Sequence, residues 1–460
     1  MREEFSILDF GAIADGVTLN TEAIDKAIAA AAEVGGRVIV PADGTFRSGS
    51  ILLRGAIDFH LQPGAHLLAS SDYEDYLVKH TIPVITNSQV VETVLPQRAF
   101  IAGYQATGLT ITGTGIIDGN SEGFIEERGR YIHSMRAPVG GRSQYLERPF
   151  TIFLIDCQKI NIEDVTITDP AFWALRLTGC DDSNILNIKI ETDLMVPNAD
   201  GIDIDRCENI QIKGCRLITA DDCISLKSCA GTSQYGAVRN IYIANCYMVS
   251  TSGAITLGTE SVGPIENVIV TDCVVKDSHR GFAVRAREGG LISNVLFENS
   301  IVETRAFSES WWGHGEALHV TAFSWDDPNL PWTPELGNPE RQLEGRVEGI
   351  RFSNLKVVSE AAILVWGGRS ELISNIEFNR ISLTMKKSSK WPPRIDLRPN
   401  PITDFIRDLP FAVTVRNAER VSLVNIDIEW DKESIDQYQG DLDVAGVTEL
   451  YKHNINANRP

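Results

Sequence analysis

No stretch of this 460-residue chain approaches the roughly 18 to 20 consecutive apolar residues that a bilayer-spanning helix requires. Positive charge is scarce as well. Against 62 Asp and Glu stand 42 Lys and Arg, a formal net charge of −20, which removes the broad positive field that non-specific binding to nucleic acid or an anionic membrane needs. Neither is expected as a partner. The opening residues Met1-Arg2-Glu3-Glu4-Phe5 also lack the charged region, apolar region and small-residue cleavage site of a secretory leader. The expectation is a cytoplasmic protein if Met1 is the native start, and a periplasmic or secreted one if a signal peptide has been removed. Oligomeric state is left open.

The eight cysteines include no CxxC pair, and all fall between Cys157 and Cys273. They read neither as zinc ligands nor as a disulfide scaffold, and they suggest no cofactor of their own. With 43% hydrophobic and 8% aromatic residues, the chain is a folding one with ample material for a core. No segment resembles an interdomain linker.

The cysteines do carry information in their spacing. Cys157 to Cys180 and Cys223 to Cys246 are 23 residues apart, while Cys180 to Cys207 and Cys246 to Cys273 are 27 apart. A short unit of alternating apolar positions recurs with them, in KINIEDVTI, SNILNIKI, ENIQIKGCRL, RNIYIANCYM, ENVIVTDCVV, SNVLFENSIV, EGIRFSNLKV, SNIEFNRISL and ERVSLVNIDI. Anchored on Ile160, Ile185, Ile210, Ile241, Val268, Val295, Ile350, Ile376 and Val421, the gaps run 25, 25, 31, 27, 27, 55, 26 and 45. Period-two alternation rich in β-branched residues and broken by Gly, Asn and Asp indicates short strands and turns. Repeats of about 25 residues, each stacking three strands on the next, describe a right-handed parallel β-helix, an all-β solenoid forming one domain over 1 to 460. The cysteines then form an inward ladder of small apolar side chains.

A solenoid end exposes strand edges and core and has to be covered. Residues 21 to 33, TEAIDKAIAAAAE, supply a capping helix, with Ile24, Ala27, Ile28 and Ala31 at helical spacing, Thr21 placed as N-cap and Gly35-Gly36 as the stop. This cap and the first turns take up 1 to 70. The polar segment 431 to 460 reads as a tail that wraps back loosely. Between them, 305 to 347 is an aromatic insertion holding Trp311, Trp312, His314, Glu316, His319, Trp325 and Trp332.

The densest chemistry lies in PNADGIDID (197 to 205) and ADDCISLKS (220 to 228). Asp200 and Asp221 are 21 residues apart, close to one turn of the coil, and Asp222 adjoins them. Three carboxylates at that range repel, which favours one protonated acid beside ionised partners, the combination glycosidic hydrolysis uses. Asp203 and Asp205 read as turn caps. Clustered carboxylates also suit a hard cation, so a calcium-dependent lyase or epimerase is an alternative, as is a non-catalytic carbohydrate-binding solenoid.

With FGAIADGVTLNTEAI, GGRVIVPADGTFRSGSILL, GTGIIDGN, DPAFWAL, NADGIDID and ADDCISLKS, the chain resembles the glycoside hydrolase family 28 pectinases along nearly its whole length. The last two blocks look like that family's Asn-Thr-Asp-Gly and Asp-Asp-Cys, with Ala199 in place of Thr. The resemblance implies Asp221 as general acid, Asp200 and Asp222 as the pair that holds and deprotonates water, inversion at the anomeric carbon, a pectic substrate and no metal. Its blocks, with the aromatic insertion, nominate Asn198, Lys227, Arg280, Arg285, Trp311 and Trp312 as substrate-binding residues.

Two departures stand out. Where the family has Gly-His-Gly, this chain reads Ser252-Gly253-Ala254, and His314 lies too far along to replace that histidine. Where it has Arg-Ile-Lys, this chain reads Ala283-Val284-Arg285, keeping one cation of two. Loss of a guanidinium weakens the grip on a sugar carboxylate. A rhamnogalacturonan-type or decorated pectic oligosaccharide is therefore favoured over unbranched polygalacturonate, with the aromatic insertion shaping an exo-type pocket. Trp173 is expected in the wall below the cleft.

Overall fold

The computed structural model describes residues 2 to 42, 44 to 76, 98 to 126, 148 to 309, 311 to 323, 344 to 398, 406 and 408 to 459. Among them are 35 strands, most of them short, and one α-helix. The chain divides into two compact units, Met1–Thr86 with Glu92–Asp221, and Asn87–Val91 with Asp222–Pro460.

In the first unit the strands pair in parallel with equivalents one coil later, and the inward positions line up in columns. One column runs Phe5, Val38, Phe59, Ile111, Ile162, Ile185 and Ile212, and a second Phe46, Leu67, Ile117, Ile167, Ile190 and Leu217. Ile51, Ile101, Ile152, Leu175 and Ile202 form a third on the other sheet. Alternation sends every second residue into the shared core, and stacking like on like removes it from water.

The register refines the sequence reading. Ile162, Ile185 and Ile212 stack at spacings of 23 and 27, the cysteine spacing, rather than Ile160, Ile185 and Ile210 at 25 and 25. A two-residue slip leaves every side chain on its face, so hydrophobic pattern alone cannot reject it. All eight cysteines are buried and unbridged, as the ladder reading requires. Burial raises the Cys180 thiol well above its ordinary range, which keeps it neutral and unreactive.

The helix Thr21–Val34 buries Ala23, Ile24, Ala27, Ile28 and Ala31, and ends at Gly35, whose φ of 65° suits a residue without a Cβ. Asn20, not Thr21, occupies the N-cap. Thr21 is the first helical residue, and its Oγ1 accepts from Gly49 N at 2.8 Å, tying the helix to the coil.

In the second unit the anchors hold as read: Ile241, Val268, Val295, Ile350, Ile376 and Val421 form one column, which Leu450 extends. Beside it Phe297, Phe352 and Phe378 stack at 5.0 Å between successive centroids, worth roughly 0.5 to 1.5 kcal/mol per ring pair beyond burial. Asparagines at the turns take positive φ, including Asn240, Asn267 and Asn294, and their side-chain amides bond in a ladder of 3.2 and 2.7 Å. Short polar side chains tolerate that backbone and repay it with the hydrogen bond. Residues 431 to 460 differ from the loose tail expected. Strands Gly440–Val447 and Leu450–Asn458 pair in parallel with Phe411–Trp430 and add a further coil. The polar composition reflects an outward face, while Leu442 and Val444 keep the inward register of Val413 and Val415.

Candidate active site

The turn ahead of the strand Ile202–Asp205 carries Asn198 and Asp200. Asn198 sits at a φ of 56°, in the left-handed region, and is held there by Arg148, which donates to Asn198 Oδ1 at 3.2 Å, to Pro197 O at 2.6 Å and to Ala171 O at 2.9 Å. The Asp200 carbonyl accepts from Ala174 N at 2.9 Å. Three main-chain and side-chain anchors therefore fix this turn before any ligand arrives. Asp221 ends the next such turn, where its carbonyl accepts from Thr219 Oγ1. Asp222 follows directly, ahead of the strand Ile224–Ser228.

Asp200, Asp221 and Asp222 are all buried, and within the first unit one oxygen of Asp200 lies within 4.8 Å of one of Asp221, with Asp222 the next residue along the chain. Such a set could share protons or hold a hard cation; which it does is decided by chemistry, not by spacing.

Asp222 is embraced from its own unit. Ser252 Oγ donates to its Oδ1 at 3.1 Å, and Arg285 Nη2 lies 3.6 Å from its Oδ2. Arg285 also reaches Thr256 Oγ1 at 3.5 Å. Of the other nominated residues, Lys227 pairs with Glu260 at 3.2 Å, both nearly inaccessible. Burial opposes ionisation of Glu260, but the charges of Lys227 and Arg287 outweigh it and hold the carboxyl below its usual range. Lys227 so placed builds the floor of the sheet rather than an open cation.

Arg280 is 1% exposed and lies 3.6 Å from Glu316 and 3.4 Å from Asp396, while its Nη2 donates to the carbonyls of Asp396 and Arg398. Arg398 chelates Asp396 at 2.9 Å and donates to Trp311 O at 2.9 Å, and its guanidinium lies 5.4 Å over the Trp312 ring. Trp311 is buried and Trp312 half-buried. Trp311 and Trp312 are thereby tied to a buried ionic cluster that has no counterpart in the sequence pattern. Its only trace was the triplet Asp396-Leu397-Arg398, which has no periodicity to mark it. Trp325 and Trp332 lie outside the described residues. Trp173 is 3% exposed, stacked on Phe172 at 5.3 Å, in agreement with a wall position. Asp203 and Asp205 are not turn caps: they lie within a strand, and Asp205 pairs with Arg176.

Three histidines in the second unit are fully buried and held neutral. Burial drives His279 down to about 3 and lowers His314, while His319 is pushed well below its ordinary value by burial and by the charges of Arg280 and Arg285. The unfolded chain protonates near 6.5, where the folded chain refuses the proton. The histidines' contribution to stability is therefore level above about pH 6.5 and falls as pH drops below it. Melting temperatures from pH 8 to pH 4 should show this decline, and His319→Gln should flatten it. A slope unchanged in that variant contradicts the assignment.

An open groove of about 980 Å³ on the second unit, lined by Tyr242, Ile269, Leu296 and Arg351 among others, contains none of the candidate residues. No helix among the described residues is long and apolar enough to cross a membrane.

Residues 68 to 306, more than half of the chain, match the family model of the glycosyl hydrolases family 28, and the chain belongs to that family. A probable polygalacturonase of Vitis vinifera is 32% identical over 236 residues, covering 50% of this chain and 45% of that protein. An exo-poly-alpha-D-galacturonosidase of Dickeya chrysanthemi is 27% identical over 288 residues, covering 55% of this chain and 47% of that one. The matched part thus spans about half the length of these curated relatives. The structure of the family 28 exopolygalacturonase of Yersinia enterocolitica aligns over 100% of this chain and 79% of its own, with a TM-score of 0.68 and 17% identity, which shows the shared right-handed parallel β-helix.

Proposed function

We propose that this protein is an inverting glycoside hydrolase of pectic glycans, a reading carried by the buried carboxylates of Asp200 and Asp221, whose oxygens lie within 4.8 Å of each other, with the buried Asp222 next in the chain. Asp221 gives its proton to the glycosidic oxygen as the bond to the anomeric carbon breaks. A water held by Asp200 and Asp222 attacks that carbon from the opposite face, and its proton passes to Asp222. The oxygen spacing is tighter than the roughly 6.5 to 9.5 Å usual between inverting carboxyls. A third carboxylate answers this, since two of them can clasp the water from the side.

One surviving cation, Arg285, stands beside Asp222, while Arg280 and Lys227 are committed to Glu316, Asp396 and Glu260. This supports a substrate with few acidic groups near the scissile bond, of the rhamnogalacturonan or decorated pectic type, over unbranched polygalacturonate. Family membership and the names of the relatives support the pectic class.

Incubation with polygalacturonate, rhamnogalacturonan and neutral pectic fragments, followed by proton NMR of the first product, tests the reading. New reducing ends of inverted configuration are expected, with the highest rate on the decorated chains. Retained configuration, an absorbing unsaturated product or loss of activity with a chelator would each overturn it.

A further inference from the structure

The carboxylate of Asp222 has a different partner on each oxygen, Ser252 Oγ at 3.1 Å on Oδ1 and Arg285 at 3.6 Å on Oδ2. Ser252 belongs to the Ser-Gly-Ala block that stands where the resembled pattern has its histidine. We propose that the Ser252 hydroxyl is the positioning group for Asp222, orienting its carboxylate toward the attacking water; this rests on the hydrolase reading above.

The hydroxyl is well placed because its backbone is fastened on every side. Ser252 N donates to Ser250 Oγ at 2.8 Å, Arg280 N donates to Ser252 O at 2.6 Å, and His279 N donates to Ser250 O at 2.9 Å. The His279 ring adds a fourth tie, Nδ1 to Thr251 O at 3.0 Å. Because burial keeps that ring neutral, Nδ1 holds its proton by virtue of this bond and remains a fixed donor across ordinary pH. Ser250 N in turn donates to Ser278 Oγ at 3.0 Å, linking the turn to the next coil.

Gly253 completes the fit. A Cβ there would stand 2.7 Å from Asp222 Oδ1 and 2.6 Å from Thr256 Oγ1, closer than any real Cβ approaches an oxygen. The glycine lets the turn come close enough for the serine to reach the carboxylate. A short hydroxyl on a rigid turn therefore reaches the Asp222 carboxylate by direct contact. A charge-assisted hydrogen bond of this kind also restricts the rotation of the carboxylate about its terminal bond.

The test compares wild type, Ser252→Ala and Ser252→Thr by steady-state kinetics and by the carboxyl ¹³C resonance of Asp222, assigned with Asp222→Asn. Ser252→Ala should lower kcat about 10- to 100-fold, the usual range for a hydrogen bond to a charged group, with KM within about twofold. Its Asp222 resonance should move. Ser252→Thr, which keeps the hydroxyl, should restore both. An Asp222 resonance identical in wild type and Ser252→Ala overturns the proposal whatever the activity, as does wild-type kcat in Ser252→Ala or equal impairment of the two variants. A resonance that moves in a wild-type background with no reducing-end release instead defeats the hydrolase reading and leaves the hydrogen bond standing.

Discussion

Asp221→Asn is expected to lower turnover of a pectic oligosaccharide by a factor of about 10² to 10⁴, the range general acid catalysis supplies, with melting temperature close to that of wild type. The two halves of that expectation come from different atoms. Asparagine has the shape of aspartic acid but no acidic proton to lend to the leaving oxygen, so the chemistry fails. What holds the turn is main chain: the Asp221 carbonyl accepts from Thr219 Oγ1, and the substitution leaves that bond alone. As the general acid Asp221 is already protonated, so a neutral amide replaces a neutral acid and the charge around it is unchanged. The role, and not only the importance, of Asp221 can be read from the leaving group. A glycoside of a nitrophenol departs without protonation, so Asp221→Asn should lose far less on it than on the oligosaccharide. Asp222→Asn, which removes the base, should be equally slow on both. The same ratio of losses in the two variants would reverse or erase the assignment of acid and base, and full activity of Asp221→Asn would remove it.

Much of the fold is legible in the sequence because a coil of stacked strands repeats its demands every turn, so Ile241, Val268, Val295 and Ile350 declare their column by spacing alone. The same periodicity hides the error at Ile160 and Ile210, since a two-residue slip in a strand keeps the inward face inward. The cysteines escape that ambiguity because they are rare enough to mark one position per coil. The carboxylate trio is legible because its members are adjacent or one turn apart. Ser252 is visible only as an absence of histidine, and Arg148 and Asp396 not at all. Arg148 reaches Asn198 across 50 positions and Asp396 reaches Gly313 across 83, and contacts that long leave no mark in local pattern.

Arg176→Met should cost about 3 to 5 kcal/mol of unfolding free energy, read as a shift of the urea midpoint, because it strands a charge. Arg176 and Asp205 are both 0% exposed and 2.8 Å apart, and the guanidinium is further engaged by Thr178 Oγ1 at 3.1 Å and by the faces of Phe153 and Trp173 at 4.9 Å. Methionine fills the stem's volume and keeps the aromatic contact, so the loss isolates the charge. Asp205 would then sit in the coil without the Arg176 guanidinium. If that is the mechanism, Arg176→Met with Asp205→Leu should recover most of the loss, since a buried pair replaced whole by apolar groups is close to neutral. Arg176→Lys should fall between, keeping charge but not the flat fork that lies on the rings. Turnover should follow the same order. The residues just before Arg176, Ala174 and Leu175, donate their amides to the carbonyls of Asp200 and Gly201 at 2.9 and 3.0 Å, so a strand loosened around position 176 loosens Asp200 with it. A double variant no more stable than the single one would show instead that the lost packing of Arg176, and not the abandoned carboxylate, sets the cost.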